Sequence, residues 1–147
     1  MTDVAEFTNF EDFDAADTAN MTVIVGGRPT SWVWTFSGPG HPKTLDQSNR
    51  VSRAALHKQK LMEQAQVNGK KWIAEEETPA EIRAQNVQFV VDRLIGWSDV
   101  TIGGVPYPFT AENAVALLSE PSRIALLTQA LEFLSADASF TRRSAGS

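Results

Sequence analysis

"TPAEIRAQNVQFVVDRLIGW", residues 78–97, carries the strongest helix start in this sequence. Thr78 and Glu81 form a capping box, and Pro79 occupies the first helical position, where its missing N–H costs nothing. Apolar residues then recur at helical spacing; they are Ile82, Val87, Phe89, Val90, Val91, Leu94, Ile95 and Trp97. A stripe this wide indicates a buried helix that ends near Gly96 and forms the core of the fold.

Two β-prone runs lie upstream of this helix. MTVIV (21–25) and WVWTF (32–36) are rich in β-branched and aromatic residues, and the turn formers Gly26, Gly27 and Pro29 separate them. They predict an antiparallel hairpin. Side chains alternate across a strand, so Trp32, Trp34 and Phe36 share one face, which we expect to cover the helices.

A basic helix is predicted between the hairpin and the core helix. Thr44 and Gln47 have capping-box spacing, which indicates a helix from there to about Val67. Its apolar stripe is thin and consists of Val51, Ala54, Ala55, Leu61, Met62 and Ala65. A charged helix with so narrow a stripe is either half-buried or awaiting a partner.

The C-terminal part carries signals for a rigid connector and two more helices. Gly103-Gly104 predicts a turn, and Pro106 and Pro108 favour extended geometry after it. Thr110 is placed to cap a short helix. Pro121 then starts another, with Ile124, Leu127, Ala130, Leu131 and Leu134 expected to face inward.

These patterns predict an α+β protein that is mainly α, with an N-terminal β-hairpin followed by a small helical domain of about four helices. Residues 1–20 are expected to be a disordered acidic leader and residues 141–147 a flexible tail. Between them, residues 21–140 form one globular domain, with the hairpin at 21–36 and the helical part at 43–140. A chain of 147 residues suits one such domain.

Composition restricts the function classes. The chain has no cysteine, which removes disulfides, thiolate catalysis and cysteine-based zinc sites. No apolar run is long enough to span a bilayer, and the N-terminus lacks the order of a secretory signal. We therefore expect no membrane partner and a cytosolic location.

Charge is segregated along the chain. Residues 1–20 contain six carboxylates and no Lys or Arg, whereas residues 43–71 hold seven Lys and Arg against Asp46 and Glu63. Phe7, Phe10 and Phe13 recur every three residues within the acidic leader. Two hypotheses follow besides that of a solvated tail: the leader becomes a short helix on a partner, or it folds back onto the basic segment.

Motifs for catalysis, metals and cofactors are missing. His41 and His57 have no metal-ligand spacing, and Asp12, Asp14 and Asp17 lack the rest of a calcium loop. The sequence contains no P-loop and no nucleophile elbow. It therefore predicts no enzyme, no metal and no cofactor.

Nucleic acid is the competing partner suggested by charge. The basic helix could follow phosphates, and Trp72 could stack on a base. The acidic leader and an isoelectric point near 5.0 disfavour this hypothesis.

The C-terminal third of the chain resembles a known family. "GWSDVTIGGVPYPFTAENAVALLSEPSRIALLTQALEFLSADASF", residues 96–140, resembles the C-terminal part of tail assembly chaperones of long-tailed bacteriophages and prophages. The matching positions are Trp97, Gly103, Pro106, Pro108, Phe109, Glu112, Asn113, Ala114, Leu117, Leu118 and Phe140. The acidic leader is not typical of that family, which leaves open a relative with another task in the same particle.

The resemblance implies a role in virion morphogenesis, carried out in the host cytoplasm during phage assembly. Such a chaperone binds the tape measure protein, keeps it soluble and helps to recruit tail tube protein. The alternatives are a structural tail or head-tail connector component retained in the virion and, second, a small nucleic-acid-binding regulator. Self-association stays open, and so does a longer frameshifted form.

Candidate partner-binding residues follow from the requirement for an apolar surface in a charged frame. The apolar candidates are Val51, Leu61, Met62, Phe89, Trp97 and Phe109, and the candidate electrostatic contacts are Arg50, Arg53, Lys58 and Lys60. Ordinary core packing is the alternative for the three aromatic residues.

Overall fold

Nine helices and strands account for most of the chain that the computed structural model describes, which is residues 5–6, 10, 14–69 and 76–140. They are β1 (Thr18–Val25), β2 (Arg28–Ser37), α1 (Pro42–Val67), α2 (Pro79–Arg93), β3 (Leu94–Trp97), β4 (Thr101–Ile102), β5 (Val105–Pro106), α3 (Ala111–Ser119) and α4 (Ile124–Ser135). Single 3₁₀ turns at Pro121–Arg123 and Asp137–Phe140 flank α4. The fold is α+β and mainly α, with the hairpin first and the four helices after it, as predicted.

The N-terminal hairpin forms as its sequence predicts. Gly26 and Gly27 adopt φ values of 60° and 78°, which only glycine accepts readily, and they join β1 to β2 in a two-residue turn. Trp34 and Phe36 are fully buried and Trp32 packs against the same core, so the aromatic face covers the helices.

The hairpin starts earlier than predicted. β1 begins at Thr18, and Ala19 is buried, so the boundary of the leader at residue 20 is wrong by three residues. The predicted disorder of the leader and the flexible tail falls largely on residues 1–4, 7–9, 11–13 and 141–147, which lie outside the described residues.

The core helix is shorter than predicted. Thr78 caps it, as expected, by accepting a hydrogen bond from the N–H of Glu81 at 3.2 Å. The helix ends at Arg93, however, and residues 94–97 form β3, which pairs with β2 so that Trp97 lies opposite Trp34. The extended backbone buries Leu94 and completes a three-stranded antiparallel sheet in the order β1-β2-β3. Pairing with the free edge of β2 therefore overrides the helical spacing of these residues.

Two further strands interrupt the region predicted as helical. Gly103 and Gly104, with φ of 61° and 77°, form the predicted turn, and they connect β4 to β5 in a small hairpin. The interpretation of residues 43–140 as wholly helical is therefore wrong at β3, β4 and β5. Thr110 caps α3 as predicted, accepting from the N–H of Asn113 at 2.9 Å.

The core lies between the aromatic face of the hairpin and helices α2, α3 and α4. Val87 and Val90 from α2, Leu118 from α3 and Leu127 from α4 are all buried there. Burying each such aliphatic side chain stabilises the fold by about 1.5–3 kcal/mol. Ile124 was predicted to face inward but is more than half exposed, because the helix starts from the 3₁₀ turn at Pro121–Arg123.

The basic helix α1 starts two residues before the predicted cap. His41 is the N-cap, and its Nδ1 accepts from the N–H of Lys43 at 3.1 Å. Thr44 is buried instead, with its hydroxyl 2.8 Å from that of Ser37. Gln47 is also buried and donates to the carbonyl oxygen of Phe89 at 3.0 Å. These two polar contacts fasten the first turns of α1 to β2 and α2.

Candidate partner-binding surface

Most of α1 is open to solvent. After Gln47, every residue of this helix is exposed except the half-buried Ala65. A helix of 26 residues is about 39 Å long, and in the described part of the chain no side chain of α1 after Arg50 forms a hydrogen bond or ion pair with another element. The helix that the sequence predicted to be half-buried or awaiting a partner is thus exposed along most of its length.

The apolar residues of α1 form one continuous stripe, here called the α1 stripe: Val51, Ala54, Ala55, Leu61, Met62 and Ala65. Residues seven positions apart lie on the same side of a helix, two turns along. Val51 therefore continues the line of the buried Thr44, and Ala54 and Leu61 continue that of Gln47. The α1 stripe is the solvent-exposed extension of the face by which α1 is fastened to the body.

Side chains of α1 and α2 line a shallow groove at the N-terminal end of the α1 stripe, here called the root of α1. It has a volume of about 310 Å³, and Val51 and Ala54 face Gln85 and Phe89 across it. Phe89 is 38% exposed. Ile82, which was predicted to lie in the core, is on α2 one turn before Asn86 and is 45% exposed. The structure thus brings together two of the predicted apolar candidates, Val51 and Phe89, at one groove.

Two of the four predicted cationic residues, Arg50 and Lys58, lie at the α1 stripe, and the other two, Arg53 and Lys60, lie on the opposite side of the helix. Arg50 lies at the groove, where it is 3.5 Å from the carboxylate of Asp92. Arg53, Lys58 and Lys60 form no ion pair with another described residue. Lys58 lies seven residues after Val51 and so stands on the same side as the α1 stripe. The α1 stripe therefore carries one positive charge near its middle.

Trp97 and Phe109 lie in a different place. Trp97 packs at ring-centroid distances of 5.4 Å from Trp34, 5.0 Å from Phe109 and 5.9 Å from Tyr107. Its indole N–H donates to the carbonyl oxygen of Tyr107 at 3.0 Å. Both predicted residues are partly buried and pack against the core, and they line a separate pocket of about 520 Å³ beside β4 and β5. They are not part of the α1 surface.

The contacts of three polar residues near the start of α1 could not be predicted from the sequence, although the sequence assigned Gln47 to a capping box. Gln47, Asp92 and Arg93 acquire their roles only through partners distant in the chain: Phe89, Arg50 and Ser37. Burial lowers the pKa of the Arg93 guanidinium from its ordinary value, yet an arginine stays protonated at neutral pH. The only sequence signal was polarity within an apolar stripe, as at Arg93 between Val90 and Leu94.

The described residues offer little for other kinds of site. Among the described residues, no three or more His, Asp or Glu side chains are arranged to hold a metal ion, and none of the helices has the length and apolarity to cross a bilayer. Trp72, the candidate base-stacking residue, lies outside them. No family model matches the chain, and neither a curated protein nor a solved structure does.

Proposed function

We propose that this chain is a non-enzymatic tail assembly chaperone and that the α1 stripe binds amphipathic, helix-forming segments of the tape measure protein. The observation that carries the proposal is the exposure of α1 beyond Gln47, with its apolar residues aligned on one side. The identity of the client rests on the resemblance of residues 96–140 to the chaperone family.

An exposed α1 stripe is better explained by a partner than by the needs of the free chain. Helices in water draw most of their stability from packing an amphipathic face, and isolated ones are marginal. Leu61 and Met62 each remain 41% exposed, and Val51 61%. Covering a side chain of this kind stabilises a complex by up to about 1.5–3 kcal/mol. A partner that covers the α1 stripe would stabilise both the complex and the helix.

The side chains of the α1 stripe also describe the partner. Ala54, Ala55 and Ala65 are small, so another helix backbone can approach closely between the larger Val51, Leu61 and Met62. Lys58 on the same side favours a carboxylate at the middle of the partner segment. The matching client segment is therefore an amphipathic helix whose apolar face carries an acidic residue.

The remaining partners follow from this role. Recruitment of tail tube protein would occur once the client is bound, in the host cytoplasm during assembly. Self-association through the α1 stripe is disfavoured because it would bring the Lys58 side chains of two copies to the same apolar surface. Self-association of two copies through another surface stays an open alternative.

Co-expression with the tape measure protein of the same phage tests the proposal. We expect the tape measure protein to move from the insoluble to the soluble fraction and to co-purify with the chain. A matched pair of variants gives the specificity: Met62→Glu on the α1 stripe should abolish rescue, and Leu56→Glu, about 120° around the helix, should not. The proposal would be overturned if the tape measure protein stayed insoluble both with the natural chain and with the Leu56→Glu control.

The two alternatives predict different outcomes. A structural tail or head-tail connector component would be found by mass spectrometry in purified virions, where a released chaperone would be absent. A nucleic-acid-binding regulator would bind DNA with an affinity that falls steeply with salt, and it would leave the tape measure protein insoluble.

A further inference from the structure

A second concave surface, here called the β4–β5 pocket, lies beside the small hairpin of β4 and β5. Residues 97–101 form one side of it, and residues 106–109 form the other. Its volume of about 520 Å³ falls within the range of about 300–1,000 Å³ that is usual for ligand sites. The pocket is therefore large enough to take up a long side chain of a partner.

Hydrogen bonds fix the two sides of the β4–β5 pocket relative to each other. The N–H of Tyr107 donates to the carbonyl oxygen of Val100 at 2.9 Å, and the indole N–H of Trp97 donates to that of Tyr107 at 3.0 Å. The Tyr107 hydroxyl donates to the carbonyl oxygen of Asn113 on α3, also at 2.9 Å. Prolines on both sides of Tyr107 restrict the backbone further. The pocket is preformed, so a ligand does not have to order it.

The lining combines aromatic surface with a single carboxylate. Trp97, Tyr107 and Phe109 contribute their rings, and all three are partly buried. Asp99 is the only charged side chain among the described residues that line the pocket, and it forms no ion pair with another described residue. Aromatic rings attract cations because their faces carry partial negative charge. Both components of the lining therefore favour a positively charged ligand.

An arginine side chain matches this lining better than a lysine does. Its guanidinium is planar, stacks on aromatic rings and can donate two parallel hydrogen bonds to one carboxylate. A lysine ammonium is compact and strongly hydrated, so it gains less from aromatic surface. Asp99 is exposed, and an exposed ion pair alone contributes little. The aromatic contact is what makes the pocket selective for a guanidinium.

The β4–β5 pocket lies apart from the α1 stripe. The N–H of Ser98 donates to the carbonyl oxygen of Val33 at 2.8 Å, which places this side of the pocket next to the middle of β2. α1 begins beyond the end of β2 at Ser37, four residues or about 13 Å further along the strand. A ligand in the pocket therefore leaves the α1 stripe free.

We propose that the β4–β5 pocket binds an arginine side chain presented by an extended segment of a second protein. The guanidinium pairs with the carboxylate of Asp99 and lies against the rings of Tyr107 and Phe109. The stem of the arginine fills the apolar part of the pocket between the two sides. This site rests on the geometry and charge of the pocket and is independent of the proposed function.

Titration of the isotope-labelled full-length chain with the peptide acetyl-Gly-Arg-Gly-amide tests the site by NMR. We expect saturable shifts of the Trp97 indole N–H and of the amides from Ser98 to Thr101. The same peptide with citrulline, a neutral analogue of arginine with nearly the same shape, should bind at least tenfold more weakly, because it lacks the charge that pairs with Asp99. Equal binding of the two peptides, or no saturable shift in the millimolar range, would overturn the proposal.

Two substitutions that remove the same charge locate the contact. Asp99→Asn keeps the shape of the side chain and should weaken binding of the arginine peptide about tenfold. Glu132→Gln, on an exposed residue of α4 outside the pocket, should leave the affinity unchanged. Both side chains are exposed, so neither substitution should alter the thermal midpoint. If Asp99→Asn binds the peptide as tightly as the natural chain does, the assignment of Asp99 is wrong and the proposal fails.

Discussion

The guanidinium of Arg93 donates two hydrogen bonds to the carbonyl oxygen of Ser37, at 2.6 Å and 3.1 Å, and so joins the end of α2 to the end of β2. The guanidinium also lies 5.4 Å from the centre of the Phe140 ring. The Ser37 hydroxyl is in turn 2.8 Å from that of Thr44 on α1. This buried junction holds β2, α2 and the root of α1 together, so the orientation of the exposed helix depends on it.

Replacing Arg93 should destabilise the fold. Arg93→Leu keeps an apolar stem but leaves the Ser37 carbonyl without its donors, and we expect the free energy of unfolding to fall by about 2–3 kcal/mol. Urea denaturation measures the change. Arg83→Leu on the same helix is the control, because Arg83 is only half-buried and forms no side-chain hydrogen bond with another described residue. Equal losses for the two variants would contradict the role given to the junction.

Gly38 should tolerate no side chain. A Cβ at this position would collide with the carbonyl oxygen of Ala16, where the leader meets the start of α1. We expect Gly38→Ala to cost about 1–3 kcal/mol, as overpacking does elsewhere. Gly40→Ala is the matched control, since a Cβ there meets no atom within 4 Å. If thermal unfolding shows the two variants to be equally stable, the packing of Ala16 against Gly38 is wrong.

Trp97 should act in folding rather than in binding. Trp97→Ala removes the ring that packs on Trp34, Tyr107 and Phe109, and we expect it to lower the free energy of unfolding by about 3 kcal/mol. Trp97→Phe keeps an aromatic ring but loses the N–H bonded to Tyr107, so its loss should be smaller. A thermal midpoint unchanged by Trp97→Ala would remove this residue from the core.

Local sequence signals predicted those parts of the fold that local interactions determine. The caps at Thr78 and Thr110 involve groups three residues apart, and the turn at Gly26-Gly27 requires only two residues with positive φ. All three were visible in the sequence for that reason. The same holds for the aromatic face of the hairpin, which follows from alternation alone.

The errors come from contacts between distant residues. Residues 94–97 continue the helical spacing of α2, and only pairing with β2, about sixty residues earlier, makes them a strand. Thr44 resembles a cap, but its hydroxyl is engaged by Ser37, so His41 takes that place. The candidate surface was predicted in part: the α1 stripe could be identified from its spacing, whereas its exposure and the separate location of Trp97 depend on packing.

Binding should distinguish two faces of α1. Val51 and Leu56 are similarly exposed, at 61% and 58%, and lie about 140° apart around the helix. We expect Val51→Glu to weaken binding of the tape measure protein by about tenfold or more, the loss typical of a central interface residue. Leu56→Glu should change the affinity little, and neither substitution should alter the thermal midpoint. Titration calorimetry would contradict the assignment if both variants lost the same affinity.

Hydrogen exchange of α1 with and without bound client shows whether the client covers the α1 stripe. An exposed helix with few tertiary contacts opens readily, so its amides should exchange faster than those of α2 in the free chain. On binding the tape measure protein, we expect amides from Val51 to Ala65 to become at least tenfold more protected, with little change around Trp97 and Tyr107. Unchanged exchange along α1, with new protection confined to the pocket beside Trp97, would contradict the claim that the α1 stripe is the partner-binding surface.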